Sequence, residues 1–213
     1  MLRMPRGAQW AGLLAVASLA GFAAYLASRA LLAPEPAHIE PIRPATIPET
    51  RPDITLADRD GRPRALADWN GKALIINFWA TWCAPCRREI PMLNALARDY
   101  RGQGFEVIGI AVDFREDVLK YLETTPIDYE VLIGEQDGMD AARAFGMEAI
   151  GLPFTAFTDR LGRIATIHVG ELHRPQAEVI LSAVRAVDAG AIDMATARAQ
   201  IRAGGVDSGK SGT

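Results

Sequence analysis

Cys83 and Cys86 are the only two cysteines in a sequence of 213 residues. They stand in Trp82-Cys83-Ala84-Pro85-Cys86, directly after the apolar run 73–80. Two thiols at this spacing, where a buried strand ends and a helix begins, are built to open and close a disulfide. The free N–H groups and positive dipole end of a helix N-terminus stabilise an anion, so Cys83 is expected to have a lowered pKa and to act as the nucleophile. Cys86, one turn later and nearer the interior, is expected to be the less exposed thiol. Cys83 would attack a substrate disulfide, and Cys86 would then attack Cys83 and release the reduced substrate. Pro85 restricts the intervening loop. Glu89 follows Cys86 by three residues on the same helix face. If partly buried, it would have a raised pKa and could shuttle a proton for Cys86; the bland alternative is an exposed glutamate paired with a nearby arginine.

Other uses of the two sulfurs are weaker. A structural zinc needs further ligands, and the three histidines, His38, His168 and His173, are scattered. Haem attachment requires His after the second cysteine, where this chain has Arg87. A Cu(I) chaperone using the pair as soft ligands stays open, as does a purely structural disulfide. His168 alternates with apolar neighbours and reads as structural; His173, near a helix start, reads as exposed. No metal site is expected.

Flanking patterns supply the elements that must hold this pair. Asp53–Ala57 and Arg62–Ala65, around Asp58-Arg59-Asp60-Gly61, read as a hairpin. The run 73–80 has the length and continuity of a strand buried on both faces. Ile90, Leu93, Ala97 and Tyr100 mark one face of a helix over 84–100, with Pro91 inside it as an expected kink. A second buried strand is expected over 105–112, a helix over 115–123, a strand over 129–133 and a helix over 138–145. Strands 154–158 and 163–169 form a hairpin around Asp159-Arg160-Leu161-Gly162, followed by helices over 175–187 and 191–203. Alternating strands and helices imply parallel pairing through right-handed crossovers, and the last hairpin closes the sheet antiparallel. The class is α/β, with a mixed central sheet flanked by helices.

The chain carries a formal net charge of −3. Residues 1–34 contain Arg3, Arg6 and Arg29 and no acid, which leaves 20 basic against 26 acidic side chains beyond them. That balance argues against nucleic acid as a partner, which needs a basic footprint. Trp10–Ser28 is free of charge and, extended back to Gly7, is close to the ~20 residues of a bilayer span. Two arginines before it and one after predict a cytoplasmic N-terminus and an exported remainder. A cleaved signal peptide is the competing reading, although Ser28-Arg29-Ala30 is a poor cleavage site. Either reading places the cysteines in an oxidising compartment, where a free dithiol needs a supply of electrons. The organisation expected is an anchor over 1–33, a linker over 34–52 with Pro34, Pro36, Pro41, Pro44, Pro48 and Pro52, a folded domain over 53–190, and a helix with a flexible tail over 191–213.

The segment Asn77-Phe78-Trp79-Ala80-Thr81-Trp82-Cys83-Ala84-Pro85-Cys86-Arg87-Arg88-Glu89-Ile90-Pro91 resembles the membrane-anchored, extracytoplasmic thioredoxin-like proteins of the TlpA/ResA/CcmG group. The resemblance covers about residues 53–187 and includes Gly151-Leu152-Pro153-Phe154-Thr155. It implies a thioredoxin-like fold with an N-terminal β-hairpin and a central α/β insert. It also implies thiol–disulfide oxidoreductase activity, mostly reductive, with several members serving cytochrome c maturation. Pro153 matches the family's cis-proline beside the cysteines; on its residues alone it could equally be a trans turn proline. Glu89 matches an active-site acid of the family. Asn77 stands where thioredoxins proper carry a buried Asp, so a proton-accepting role there is lost or passes to Glu89. Trp82 and Leu152 are expected at the substrate-docking surface, and Trp79 in the core. The expected cofactor is none beyond the Cys83–Cys86 disulfide. The expected partners are disulfide-containing exported proteins, a membrane electron donor of the DsbD/CcdA type, and the bacterial inner membrane through the N-terminal helix. A disulfide oxidase or isomerase is the alternative. A peroxiredoxin-like role is disfavoured because Ala80 and Ile76 replace the residues that such a setting needs.

Overall fold

A computed structural model describes residues 47–147 and 151–204, together with 21–23, 25, 26, 28 and 29. The chain divides into two units, Met1–Glu40 and Pro41–Thr213. In the first, the described residues are helical. Most of the expected anchor lies outside the described residues, among which no helix is long and apolar enough to cross a membrane.

The second unit is built on one seven-stranded sheet. Its strands are β1 (Thr55–Ala57), β2 (Pro63–Ala65), β3 (Ala73–Trp79), β4 (Phe105–Val112), β5 (Glu130–Gly134), β6 (Phe154–Thr158) and β7 (Ile164–Val169), in the spatial order β2-β1-β5-β4-β3-β6-β7. β3 pairs parallel with β4 and antiparallel with β6. It is buried at every residue, which accounts for its unbroken apolar sequence. β5 runs parallel to β4, and the β1–β2 hairpin joins β5 antiparallel through Ala57 opposite Ile133. Among the described residues, five helices cover the sheet: α1 (Ala84–Tyr100), α2 (Arg115–Thr124), α3 (Gln136–Ala144), α4 (Arg174–Asp188) and α5 (Met194–Ala203).

Strand alternation divides the core in two. Ile75 and Trp79 join Ile90 and Leu93 of α1, Val118 of α2, Ile180 and Val184 of α4 and Ile201 of α5 on one face. Leu74, Ile76 and Phe78 meet Ile108, Phe145, Phe154 and the single-turn helix Leu66–Trp69 on the other. There Phe78 stacks on Phe154 with ring centroids 4.2 Å apart.

The two hairpin turns share one construction. Asp58 Oδ1 accepts from the N–H groups of Asp60 and Arg62, and Asp159 Oδ1 accepts from those of Leu161 and Arg163. Each turn ends on a glycine of positive φ, Gly61 at 82° and Gly162 at 78°, where a side chain would be strained.

Both ends of the folded unit reach further than the sequence suggests. Residues 49–51, read as the end of the linker, pair beside β7: Ile164 N–H donates to Glu49 O, and Arg51 N–H donates to Gly162 O. α5, expected as a helix beyond the folded domain 53–190, buries Met194, Ala197 and Ile201. α1 continues as one helix through Pro91.

Candidate active site

Cys83 caps the N-terminus of α1. Its backbone is extended (φ −82°, ψ 105°), and its sulfur accepts from the Cys86 N–H at 3.3 Å. Pro85 falls in the first helical turn, where its missing N–H costs nothing. The two sulfurs are joined, with Cα atoms 5.3 Å apart. Cys86 is fully buried and Cys83 is 4% exposed. The approach to the disulfide is therefore narrow, and it borders the Cys83 side.

Glu89 lies on the same helix, 2% exposed. Its Oε1 accepts from Asn77 Nδ2 at 2.7 Å, and its Oε2 accepts from the Leu172 N–H at 2.7 Å. Burial pushes the carboxyl up to about 7; the bonds from Leu172 and Asn77 oppose that rise, and the Glu171 charge adds to it. A buried carboxyl held at about 7, three residues after Cys86 on the same helix, can take or give a proton at working pH once the disulfide is reduced. The exposed-glutamate alternative fails: the pairing arginine is Arg88, whose partner is Glu171 at 2.9 Å. Asn77 Nδ2 also donates to Thr155 Oγ1 at 3.0 Å, and Asn77 is the cross-strand partner of Thr155.

The loop before the cysteines is clamped. Asp113, 6% exposed at the end of β4, accepts on Oδ2 from Thr81 N–H at 2.9 Å and from Thr81 Oγ1–H at 2.6 Å. Its Oδ1 accepts from the Phe114 N–H. The residues that follow the two clamped positions, Trp82 and Phe114, are 68% and 55% exposed.

The Leu152–Pro153 peptide bond is cis. Leu152 is half-buried and packs against the apolar cluster that contains both cysteines. Trp79 is wholly buried. His168 is buried in β7 with Nε2 3.3 Å from the carbonyl oxygen of Glu171, and His173 is exposed as the N-cap of α4. Among the described residues no group of three or more His, Cys, Asp or Glu side chains is placed to hold a metal. Sequence reasoning missed Thr155, Asp113, Thr81, Phe114 and the Leu172 N–H. Thr155 stands in the Gly151–Thr155 motif, but its pairing with Asn77 is set by the fold, and a backbone N–H leaves no mark in a sequence.

A family model described as AhpC/TSA family matches residues 47–167. The chain belongs to this family. It is similar to the thiol-disulfide oxidoreductase ResA of Geobacillus thermodenitrificans, 33% identical over 64% of this chain and 76% of the relative. Among solved structures it resembles a thiol:disulfide interchange protein of the thioredoxin family from Chlorobium tepidum, 30% identical with a TM-score of 0.57 over 66% of this chain and 98% of that one. A secreted thiol-disulfide isomerase from Corynebacterium glutamicum, 27% identical, matches with a TM-score of 0.55 over 59% of this chain and 79% of that one. The fold is thioredoxin-like, and the chain is a thiol–disulfide oxidoreductase of the ResA type.

Proposed function

We propose that this oxidoreductase is tethered to the bacterial inner membrane by residues 1–33 and reduces disulfides in exported proteins, including apocytochromes c or oxidase assembly factors. The observation that carries the reading is the Cys83–Cys86 disulfide at the N-terminus of the helix on which the Glu89 carboxyl is buried. In the reduced enzyme the helix N-terminus favours the Cys83 thiolate. That thiolate attacks the substrate disulfide, forming a mixed disulfide and expelling one substrate sulfur. Glu89 takes the Cys86 proton, and the Cys86 thiolate closes the Cys83–Cys86 bond and releases the second substrate sulfur. Trp82, Leu152 and Pro153 border the approach of the substrate chain. Electrons return from a membrane donor of the DsbD/CcdA type. Export is supported by the arginines flanking the uncharged run Trp10–Ser28 and by the secreted relative.

The test is Cys86→Ser expressed in the native host. Mixed disulfides through Cys83 should accumulate with exported proteins, and a Cys83→Ser, Cys86→Ser control should trap none. Absence of any adduct, or adducts with cytoplasmic proteins alone, would overturn the reading. Direction is read separately: a reduction potential above about −150 mV, toward the strongly oxidising end of the scale, would make the enzyme an oxidase or isomerase instead.

A further inference from the structure

Of the four buried side-chain polar atoms with no hydrogen-bond partner among the described residues, three fall on one face of the sheet: Asn77 Oδ1, Trp79 Nε1 and the Tyr129 hydroxyl. Asn77 and Trp79 are two residues apart on β3. Asn77 is opposite Gly109 on β4, and Gly109 is opposite Val131, two residues from Tyr129. Side chains two residues apart, or directly opposite, share a face. Trp79 and Tyr129 meet over Gly109, the residue opposite Asn77. A Cβ there would lie 2.9 Å from Tyr129 Cε2 and 3.2 Å from Trp79 Nε1, so the phenol and indole close over the place where a side chain would stand. The same face of the sheet packs against α1, which carries Cys86 and Glu89. The phenol is held above its ordinary pKa by burial and further by the Glu89 charge.

A buried polar atom without a partner costs about 1–3 kcal/mol, and such groups in native proteins mark strain, catalysis or bound water. We propose that the Tyr129 hydroxyl, with Trp79 Nε1–H and Asn77 Oδ1 on the same face of the sheet, is the relay through which the proton on Glu89 reaches and leaves solvent. This rests on Glu89 being the proton carrier for Cys86. When the Cys86 thiolate bonds to Cys83, the bond from Cys83 to the substrate sulfur breaks. That sulfur leaves with the electron pair and is protonated by solvent, while the former Cys86 proton stays on Glu89. Glu89 is 2% exposed, so its proton needs a route. The phenol oxygen accepts it and releases its own hydrogen on the far side, ending the cycle unchanged. Because the hydroxyl has no protein partner among the described residues, water carries the proton to it and away from it. The titratable and charged groups acting on the Tyr129 hydroxyl are Glu89 of α1, the half-buried Tyr121 of α2, and Arg59 of the β1–β2 turn, which donates to the carbonyls of Ile127 and Tyr129. Glu171, in the loop before α4, acts on Glu89.

Tyr129→Phe in the full chain removes the hydroxyl alone. A purely structural hydroxyl without a partner would be lost with no change in rate and with some gain in stability. The proposal expects steady-state disulfide reduction near neutral pH, in which Glu89 must shed its proton every cycle, to slow about threefold or more. The pH midpoint of that rate should move, and Tyr129→Phe should add nothing to the loss caused by Glu89→Gln. Unchanged rate and midpoint, or losses that multiply in the double variant, overturn it. A Glu89→Gln protein as fast as the parent overturns the reading of Glu89 itself, whatever Tyr129 does. Should Tyr129→Phe not fold, the parent with ring-labelled tyrosine decides. Its redox-difference infrared spectrum must hold a tyrosine band moving with the Glu89 carboxyl midpoint, and a spectrum without one overturns the proposal.

Discussion

Glu89 couples the chemistry of the site to the stability of the fold. In the oxidised protein its carboxyl is raised from 4.5 to about 7, chiefly by burial. Below the unfolded value both states hold the proton and the group is neutral to stability. As pH rises from about 4.5 to about 7 the native state retains a proton that the unfolded chain has lost, so folding is progressively disfavoured, by about 3 kcal/mol in all. Above that window the penalty is constant. Glu89→Gln removes the penalty but leaves one of the two donors, Asn77 Nδ2 or Leu172 N–H, facing an amide N–H₂. The oxidised variant should therefore be more stable than the parent at pH 8, by about 1–2 kcal/mol after the lost hydrogen bond is subtracted. It should also lose most of the slope between pH 4.5 and 7. Urea denaturation across that range checks both, and an unchanged slope would mean that Glu89 titrates at its unfolded value. This role was only half legible in the sequence. Its place on the helix after Cys86 follows from a spacing of three. Its burial depends on Leu172, 83 residues away, and on Asn77, whose own second partner Thr155 is 78 residues distant.

At the scale of elements, the junction between β3 and α1 depends on the end of β4. Asp113 holds Thr81 by two bonds and its own successor by a third. Hydrogen bonds to a charged group are worth about 1.5–3 kcal/mol each in favourable cases. Asp113→Ala, which strands the Thr81 N–H and hydroxyl together, should cost about 2–4 kcal/mol by chemical denaturation. Thr81→Val, which keeps the N–H bond, should cost about 1 kcal/mol. Equal costs would show that the hydroxyl carries the clamp alone. The elements themselves were readable because their signals are local. An unbroken apolar run marked β3, and the spacing of Ile90, Leu93, Ala97 and Tyr100 marked α1. Two Asp-X-X-Gly turns marked the hairpins, since the carboxylate and the glycine are what those turns require. The clamp was not readable, because an aspartate closing a strand looks the same whether it faces solvent or a loop 32 residues earlier in the chain.

At the scale of the molecule, one apolar cluster joins the cysteines to the far end of the folded unit. Cys83 and Cys86 belong to the same buried set as Met194, Ala197 and Ile201 of α5. The sequence pointed to a helix there but not to its burial, because a short alanine-rich helix has too weak an apolar stripe to tell a docked segment from a loose one. Docking is reinforced by Arg198, which donates to the carbonyl of Ile164 and pairs with Glu49, so α5 also fastens the residues that lead into the domain. Removing residues 191–213 exposes the surface of α4 and β7 that α5 covers and forfeits the burial of Met194 and Ile201. At about 1.5–3 kcal/mol for each large side chain, the truncated protein should lose about 3–6 kcal/mol. Its urea midpoint should fall well below the parent's. None of the bonds to Glu89, Asn77 or Thr81 involves α5, so the fraction that remains folded should keep its thiol–disulfide exchange rate. A truncated protein as stable as the parent would make α5 an appendage, and one that is stable but slow in exchange would give α5 a part in the site.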